Sequence, residues 1–134
     1  MKTTERNKKI MGTAQMKIAG TTFNNRQGKL WQLKKAEKAY LTLRREPTNK
    51  HDANAIRVYA HTLNGEKVTH FEIGYVPAEK AEWLAPAIDA GKYVRVTNYE
   101  VHVHSKNYLT AEMTLIHELY TVKEKVTVPE TAAE

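Results

Sequence analysis

The 134-residue chain contains no cysteine, which excludes disulfide bonds, thiolate metal sites and cysteine nucleophiles. It has no apolar run near the ~20 residues that a membrane-spanning helix needs, and no hydrophobic segment follows the basic N-terminal residues as in a signal peptide. It also lacks a glycine-rich phosphate-binding loop, which excludes a nucleotide-driven motor within the chain. These absences favour a small cytoplasmic protein without a membrane partner.

What the chain has in excess is positive charge, concentrated in its first part. The formal net charge is +6, and residues 1–50 carry 13 Lys/Arg against 3 acidic residues, whereas residues 51–134 carry 8 against 12. Proteins gain affinity for nucleic acids by neutralising phosphates, so this polarity indicates a polyanionic partner. A lysine-rich surface that only keeps the protein soluble is the alternative.

The length and the hydrophobic periodicity predict one domain at residues 15–122. A disordered basic arm at 1–14 is expected before it, and a disordered tail at 123–134 after it. About six strands and one short helix at about 77–90 are expected, which is an α+β, mostly β barrel. Residues 30–38 are ambiguous, because Leu30, Leu33 and Lys34 are spaced as in a short helix, and a basic loop with at most one helical turn is predicted.

The last two strands are expected at residues 93–104 and 108–120. In the first of them the apolar residues change parity, which predicts a β-bulge near Thr97 and Asn98. The second alternates regularly and has one buried face.

A polar loop between two β-like runs stands out at residues 41–58. Pro47 ends the first run, because it restricts the preceding residue to an extended conformation. Asn49, Asp52 and Asn54 can each hydrogen-bond to nearby backbone groups, which makes the loop rigid. We interpret this rigid, charged loop as a recognition surface. A self-capped hairpin turn with incidental charges is the alternative.

The string REPTNKHDANAI, residues 45–56, resembles the central signature of the HIRAN domain, R-[DE]-P-x-N-x-[aromatic]-D-x-N-A-I-x-V. Two further pieces, AGTTF at 19–23 and IGYVP at 73–77, agree with that family in order and spacing. The resemblance covers residues 16–120. It implies an OB-like or SH3-like barrel that binds single-stranded DNA, notably at free 3′ ends, in repair, replication or mobile-element processing. The family occurs fused to SNF2-type helicases and as free-standing bacterial proteins.

The resemblance implies a role for individual residues. Phe23 corresponds to an aromatic residue that stacks on the terminal base, and His51 to a position, often tyrosine, on the opposite side. Asp52 corresponds to the aspartate that accepts a hydrogen bond from the 3′ hydroxyl. Tyr75 corresponds to a position that contacts the phosphate backbone, and Asn49 is expected to hold the loop in shape.

The remaining predicted binding residues are cations and neighbours of these positions. Arg44, Arg45 and Lys50 are expected to contact phosphates. Thr22 stands where a studied relative has arginine, and Tyr108 completes the predicted nucleic-acid-binding set.

Catalysis and a cofactor are not expected. His102 and His104 share one face of a strand and offer half of a metal site, but no third ligand is evident, so a solvated strand face is favoured. His51 and Asp52 are adjacent on an extended loop and point in different directions, without a nucleophile nearby. A protein-interaction barrel that recruits a helicase or nuclease is the first alternative to DNA binding, and a metal-dependent nuclease is the second. RNA remains open as a ligand.

Overall fold

The computed structural model describes residues 2–129, which form six strands and two helices. In chain order these are β1 (Lys2–Lys17), α1 (Arg26–Lys35), β2 (Lys38–Arg45), β3 (Ile56–Asn64), β4 (Lys67–Tyr75), α2 (Ala78–Asp89), β5 (Val94–Ser105) and β6 (Tyr108–Val128). The strands form two three-stranded antiparallel sheets, in the orders β1-β6-β5 and β2-β3-β4. The expected mostly β, α+β fold is confirmed. Within residues 2–129 the sheets do not close into one ring of paired strands.

The core lies between the two sheets and the helices, and the strand periodicity explains its composition. On β6, four alternate apolar residues are buried, namely Leu109, Ala111, Met113 and Leu115. On β3 the alternate residues Ile56, Val58 and Ala60 are buried in the same way. Successive side chains of a strand point to opposite faces, so each sheet keeps a second face for solvent or ligand.

The β-bulge expected in the fifth strand is confirmed. The pairing of β5 with β6 shifts register between Val96 and Asn98, which returns the apolar side chains after the bulge to the core face. The expected helix at 77–90 is present as α2, and Pro77 occupies its N-cap position.

The N-terminal arm is ordered, contrary to the expectation of disorder. Residues 2–14 belong to β1, which pairs with β6 from Lys2 opposite Val128 to Lys17 opposite Glu112. Residues 123–128, expected to be tail, continue β6, and residues 130–134 of that expected tail lie outside the described residues. Neither segment has a strong apolar pattern of its own, and their order comes from the hydrogen-bonded ladder between them.

The expected basic loop at 30–38 is largely helical. Helix α1 begins at Arg26 and buries Leu30 and Leu33, which lie three residues apart on one face. Strand β1 stops at Lys17, and beyond it Ala19 makes an isolated bridge to Tyr75 of β4. Within the described residues, neither helix is both long and apolar enough to cross a membrane.

A row of rings crosses the β2-β3-β4 sheet on its outer face, the face opposite the core. The ring of Tyr40 stacks on that of His61, with 4.7 Å between centroids. His61 Nδ1 lies 2.6 Å from His70 Nδ1, and His61 Nε2 lies 2.6 Å from the Thr42 hydroxyl oxygen. Burial first, and the charge of His70 second, lower the pKa of His61 from its usual 6.5.

This lowered pKa predicts acid sensitivity of the fold. Below pH 6.5 His61 becomes protonated in the unfolded chain but stays neutral in the native state until the pH reaches its lower folded-state pKa. The free energy of unfolding therefore falls as the pH decreases between these two pKa values. The variant His61→Gln removes this linkage and should lose less stability than the wild type between pH 7.5 and pH 5. Melting temperatures of both proteins across that range test the prediction. Parallel losses in the two proteins would contradict it.

Candidate nucleic-acid interface

The loop between β2 and β3, residues 46–55 (the central loop), is shaped by its own side chains. Asn49 Oδ1 accepts hydrogen bonds from the backbone N–H groups of His51 (2.8 Å) and Asp52 (3.1 Å). Asp52 Oδ1 accepts from the N–H of Asn54 at 2.8 Å, and the N–H of Glu46 donates to the carbonyl of Ala55 at 2.9 Å. The three bonds to the Asn49 and Asp52 side chains are the self-capping that the asparagine and aspartate content of the loop predicts. The loop is therefore a fixed scaffold.

The side chains of the central loop that the sequence singled out are accessible. Lys50 and His51 are exposed, and Asp52 is half-buried. Among residues 2–129, no hydrogen-bond donor occupies Asp52 Oδ2, although Oδ1 caps the loop. One carboxylate can thus hold the loop and still offer an acceptor to a ligand.

Arg45, expected to contact phosphate, is instead held by the fold. Its guanidinium donates to both oxygens of Asp89 in α2, at 2.9 and 3.2 Å, and to the carbonyls of Ala53 (2.9 Å) and Ala55 (2.7 Å). Successive residues of a strand face opposite sides, so Arg45 points toward α2 while Arg44 points outward. Arg45 anchors the end of the central loop to the helix.

Arg44 belongs to a row of three side chains on the outer face of the β2-β3-β4 sheet. Arg44 lies opposite Arg57, which in turn lies opposite Tyr75, so that Arg44, Arg57 and Tyr75 form one cross-strand line, the arginine row. The Tyr75 hydroxyl accepts from Arg57 Nη2 at 2.9 Å and donates to Glu46 Oε2 at 3.0 Å. Tyr75 therefore connects the row to the first residue of the central loop.

Arg57, the middle member of the row, is fixed by two carboxylates. Arg57 Nη2 lies 2.9 Å from Glu46 Oε2, and Nη1 lies 2.7 Å from Glu72 Oε2. Burial lowers the pKa of Arg57, but hydrogen bonds with Tyr75 and Tyr59 and the charge of Glu72 outweigh it and raise the pKa above its ordinary value. The guanidinium is a permanent, oriented cation.

An open cavity of about 400 Å³ lies along the arginine row. It is lined by Arg44, Arg45, Glu46, Pro47, Thr48, Arg57 and Tyr59. Arg45 is paired with Asp89, and Arg57 with Glu46 and Glu72. Among residues 2–129 Arg44 makes no ion pair, so it supplies the uncompensated positive charge of the cavity. Arginine is the side chain best suited to binding phosphate oxygens in a fixed geometry. The cavity can accept a phosphate group.

Phe23 stands in the turn between β1 and α1 and is 66% exposed, so it is not a core residue. Positive φ values at Asn24 (56°) and Asn25 (60°) form this turn, and asparagine tolerates them better than most residues. Thr22 is exposed beside Phe23. An exposed phenylalanine on a fixed turn has the form of a stacking platform.

Arg26 ties this turn to the arginine row. Its Nη1 donates to the carbonyl of Gly20 at 2.9 Å, its Nη2 donates to Glu72 Oε1 at 3.2 Å, and its guanidinium carbon lies 5.4 Å from the centre of the Tyr75 ring. Glu72 holds Arg26 with one oxygen and Arg57 with the other. Phe23, Tyr75 and the central loop are thus linked through one network of charged hydrogen bonds.

Gln27 of α1 ties the same turn to the start of β6, where Tyr108 lies. The Gln27 amide donates to the carbonyls of Thr21 (3.0 Å) and Leu109 (2.9 Å), and its oxygen accepts from the N–H of Leu109 at 2.7 Å. Tyr108 is 48% exposed, with its ring 5.0 Å from that of His104. A second exposed ring therefore lies next in sequence to Leu109, which Gln27 ties to Thr21 of the turn.

Sequence reasoning missed Arg57, Glu46, Glu72 and Arg26. The alternation of β3 could have indicated Arg57, since it lies on the strand face opposite Ile56 and Val58. No local signal identifies Arg26, because its burial depends on Glu72, 46 positions away in the chain.

One group of side chains in the described part of the chain has the spacing of metal ligands. Ligand atoms of Glu100, His102 and Glu112 all lie within 4.8 Å of one another, so the third ligand missing from the sequence pattern is supplied by carboxylates. His102 Nε2 is 3.1 Å from Glu112 and 3.5 Å from Glu100, while His104 bonds to the Thr110 hydroxyl. These are ordinary histidine–carboxylate contacts that need no cation.

The two sheets, the rigid central loop and the arginine row define a small β-rich domain with an open, charged cavity. A family model for the HIRAN domain matches residues 11–126, and the chain belongs to this family. HIRAN domains bind DNA, so the family supports the DNA-binding part of the prediction.

A crystal structure of a protein from Lactobacillus plantarum, a structural genomics target, has a similar fold. Its TM-score is 0.55 at 19% sequence identity, and the match covers 87% of this chain and 100% of that one. At this identity the likeness concerns the fold alone. Comparison with curated proteins gives no significant match.

Proposed function

We propose that the chain is a non-catalytic module that captures free 3′ ends of single-stranded DNA in DNA repair, replication or mobile-element processing. The observation that carries the proposal is the link between the arginine row and the central loop. Tyr75 joins them through its 3.0 Å bond to Glu46, so oriented cations and the Asp52 carboxylate belong to one rigid unit. A terminal nucleotide interacts with both, because cations neutralise its phosphates and its 3′ hydroxyl donates a hydrogen bond to the carboxylate.

Each part has a defined role in this proposal. Arg44 and Arg57 contact backbone phosphates beside the cavity, with Lys50 as a further cation at the loop. Phe23 stacks on the terminal base, and Asp52 Oδ2 accepts a hydrogen bond from the 3′ hydroxyl. Arg45 positions the loop.

Five further residues complete the proposed site. His51 stacks from the central loop on the side opposite Phe23. Asn49 keeps His51 and Asp52 in place through its two backbone bonds. The path of the single-stranded DNA is lined by Tyr108, Thr22 and Tyr75.

The test compares two proteins on two kinds of DNA end. A 3′-phosphate removes the hydroxyl donor and brings a negative charge against Asp52, so the wild type should bind such ends far more weakly than 3′-hydroxyl ends. The variant Asp52→Asn keeps a side-chain oxygen for the Asn54 N–H but loses the charge, and should tolerate the phosphate better. Fluorescence titration of both ends with both proteins isolates the pairwise contribution.

A matched control separates local contact from overall charge. Glu66→Gln makes the same change in net charge at an exposed residue of the β3–β4 turn and should leave the discrimination between ends unchanged. If the wild type binds both ends equally, Asp52 is only a loop cap. Salt-insensitive binding to a helicase or nuclease, without DNA binding, would favour the protein-interaction alternative.

A further inference from the structure

The longest feature outside the proposed site is a two-stranded ribbon formed by residues 2–10 and 120–128. The ladder runs from Lys2 opposite Val128 to Ile10 opposite Tyr120. Strand β5 pairs with β6 only as far as His117, so the ribbon extends beyond the three-stranded part of the sheet. At about 3.3 Å per residue it is roughly 30 Å long.

The ribbon carries most of the net charge of the protein. Its two strands hold six Lys/Arg residues against two glutamates, a net charge of +4, compared with +6 for the whole chain. The cations are Lys2, Arg6, Lys8, Lys9, Lys123 and Lys125. A two-stranded ribbon is only marginally stable in water by itself, and like charges along it repel one another. Because a polyanion neutralises such charges on binding, their density indicates a polyanion as the partner of the ribbon.

The two faces of the ribbon differ in chemistry. One face consists only of exposed polar residues, namely Thr3, Glu5, Asn7, Lys9, Thr121, Lys123, Lys125 and Thr127. Threonine, asparagine and lysine are side chains that hydrogen-bond to base edges. The other face continues the core face of the sheet and carries valines, but the ion pair of Arg6 with Glu124 (3.3 Å) interrupts them.

A second copy of the chain fits the ribbon poorly. The outer edge of β1 is unpaired along Lys2–Ile10 within the described residues, which invites strand addition. However, this segment carries four cations against one glutamate, and antiparallel pairing of two such edges brings like charges together.

We propose that this ribbon inserts its polar face into the major groove of B-form duplex DNA. That groove is about 12 Å wide and admits a two-stranded β-ribbon. At 3.4 Å per base pair, a 30 Å ribbon follows about nine base pairs. The major groove of an RNA duplex is deep and narrow, so the ribbon is selective for DNA. This site is separate from the 3′-end site and does not depend on it.

The test uses the full chain and a blunt DNA duplex of about 16 base pairs with 3′-phosphate ends, which silences end capture. The variant Lys123→Gln/Lys125→Gln removes two cations from the polar face. The slope of log K against log salt concentration should fall by about 2, at about 0.9 for each phosphate that the variant no longer neutralises. The control Lys38→Gln/Lys67→Gln removes two exposed lysines from the other sheet and should leave the slope unchanged.

Three outcomes overturn the proposal. The first is an equal slope for the wild type and both double variants. The second is that the variant Lys123→Gln/Lys125→Gln loses as much affinity for duplex RNA as for duplex DNA, relative to the wild type, which would mean a diffuse charged surface. The third is a dimer, detected by sedimentation and dispersed by Val126→Lys, with duplex binding unaffected, which would make the ribbon a protein-docking surface.

Discussion

Replacement of Gly74 by alanine is expected to destabilise the protein by roughly 2–6 kcal/mol, the sum of overpacking and backbone strain at one site. Gly74 has φ of +156°, and a Cβ placed there would overlap the carbonyl oxygen of Ala19 and lie 2.8 Å from Ile18 Cγ2. The neighbouring Tyr75 N–H donates to that same carbonyl at 2.9 Å. The backbone of residues 18–19 cannot retreat without breaking this bridge.

The consequence reaches the proposed site, because the Ala19 bridge fixes Tyr75 at the end of β4. A native stability of about 5–15 kcal/mol makes a loss of this size a large fraction of the total. Chemical denaturation of the wild type and Gly74→Ala measures the difference.

A second glycine provides the control. Gly28 lies within α1, and a Cβ there would meet nothing within 4 Å. Gly28→Ala should therefore stabilise the protein by about 0.5–1 kcal/mol through lower backbone entropy of the unfolded chain. Equal effects at both positions would show that the close approach of Gly74 to Ala19 has no energetic importance.

The elements that the sequence predicted best are those with a strong period of their own. Strand β6 alternates over 109–115, and the parity change in β5 located its bulge, because both signals come from neighbouring residues buried on one face. The central loop was predictable for the same reason, since Asn49 and Asp52 bond to backbone only two or three positions away.

What the sequence did not predict depends on distant partners. The ribbon joins residues more than 100 positions apart, and its polar face gives neither strand an apolar stripe. Helix α1 has Asn25 at its N-cap, but it contains an internal glycine and has no acidic residue in its first turn, so its sequence signal was weak. The direction of Arg45 was also unpredictable, because its partner Asp89 belongs to another element.

Replacement of Phe23 by alanine is expected to weaken binding of single-stranded DNA by about 1–3 kcal/mol, the contribution of one base–aromatic stack. The side chain is 66% exposed, so its loss removes little buried area and should leave the melting temperature unchanged. Phe23→Leu keeps an apolar side chain without a flat ring and should lose nearly as much affinity. Fluorescence titration with a 3′-hydroxyl oligonucleotide, alongside thermal melting, separates binding from folding.

The matched control is Tyr40→Ala, which removes an aromatic side chain near the start of β2. Tyr40 is 60% exposed, which is similar to the exposure of Phe23. Tyr40 stacks on His61 and lies at the far end of the strand from Arg44, so its loss should leave DNA affinity unchanged. A drop in melting temperature for Phe23→Ala would give Phe23 a structural role. Equal affinity losses for Phe23→Ala and Tyr40→Ala would mean that exposed rings contribute generally. A loss confined to Phe23, with unchanged melting, is the result that a stacking platform requires.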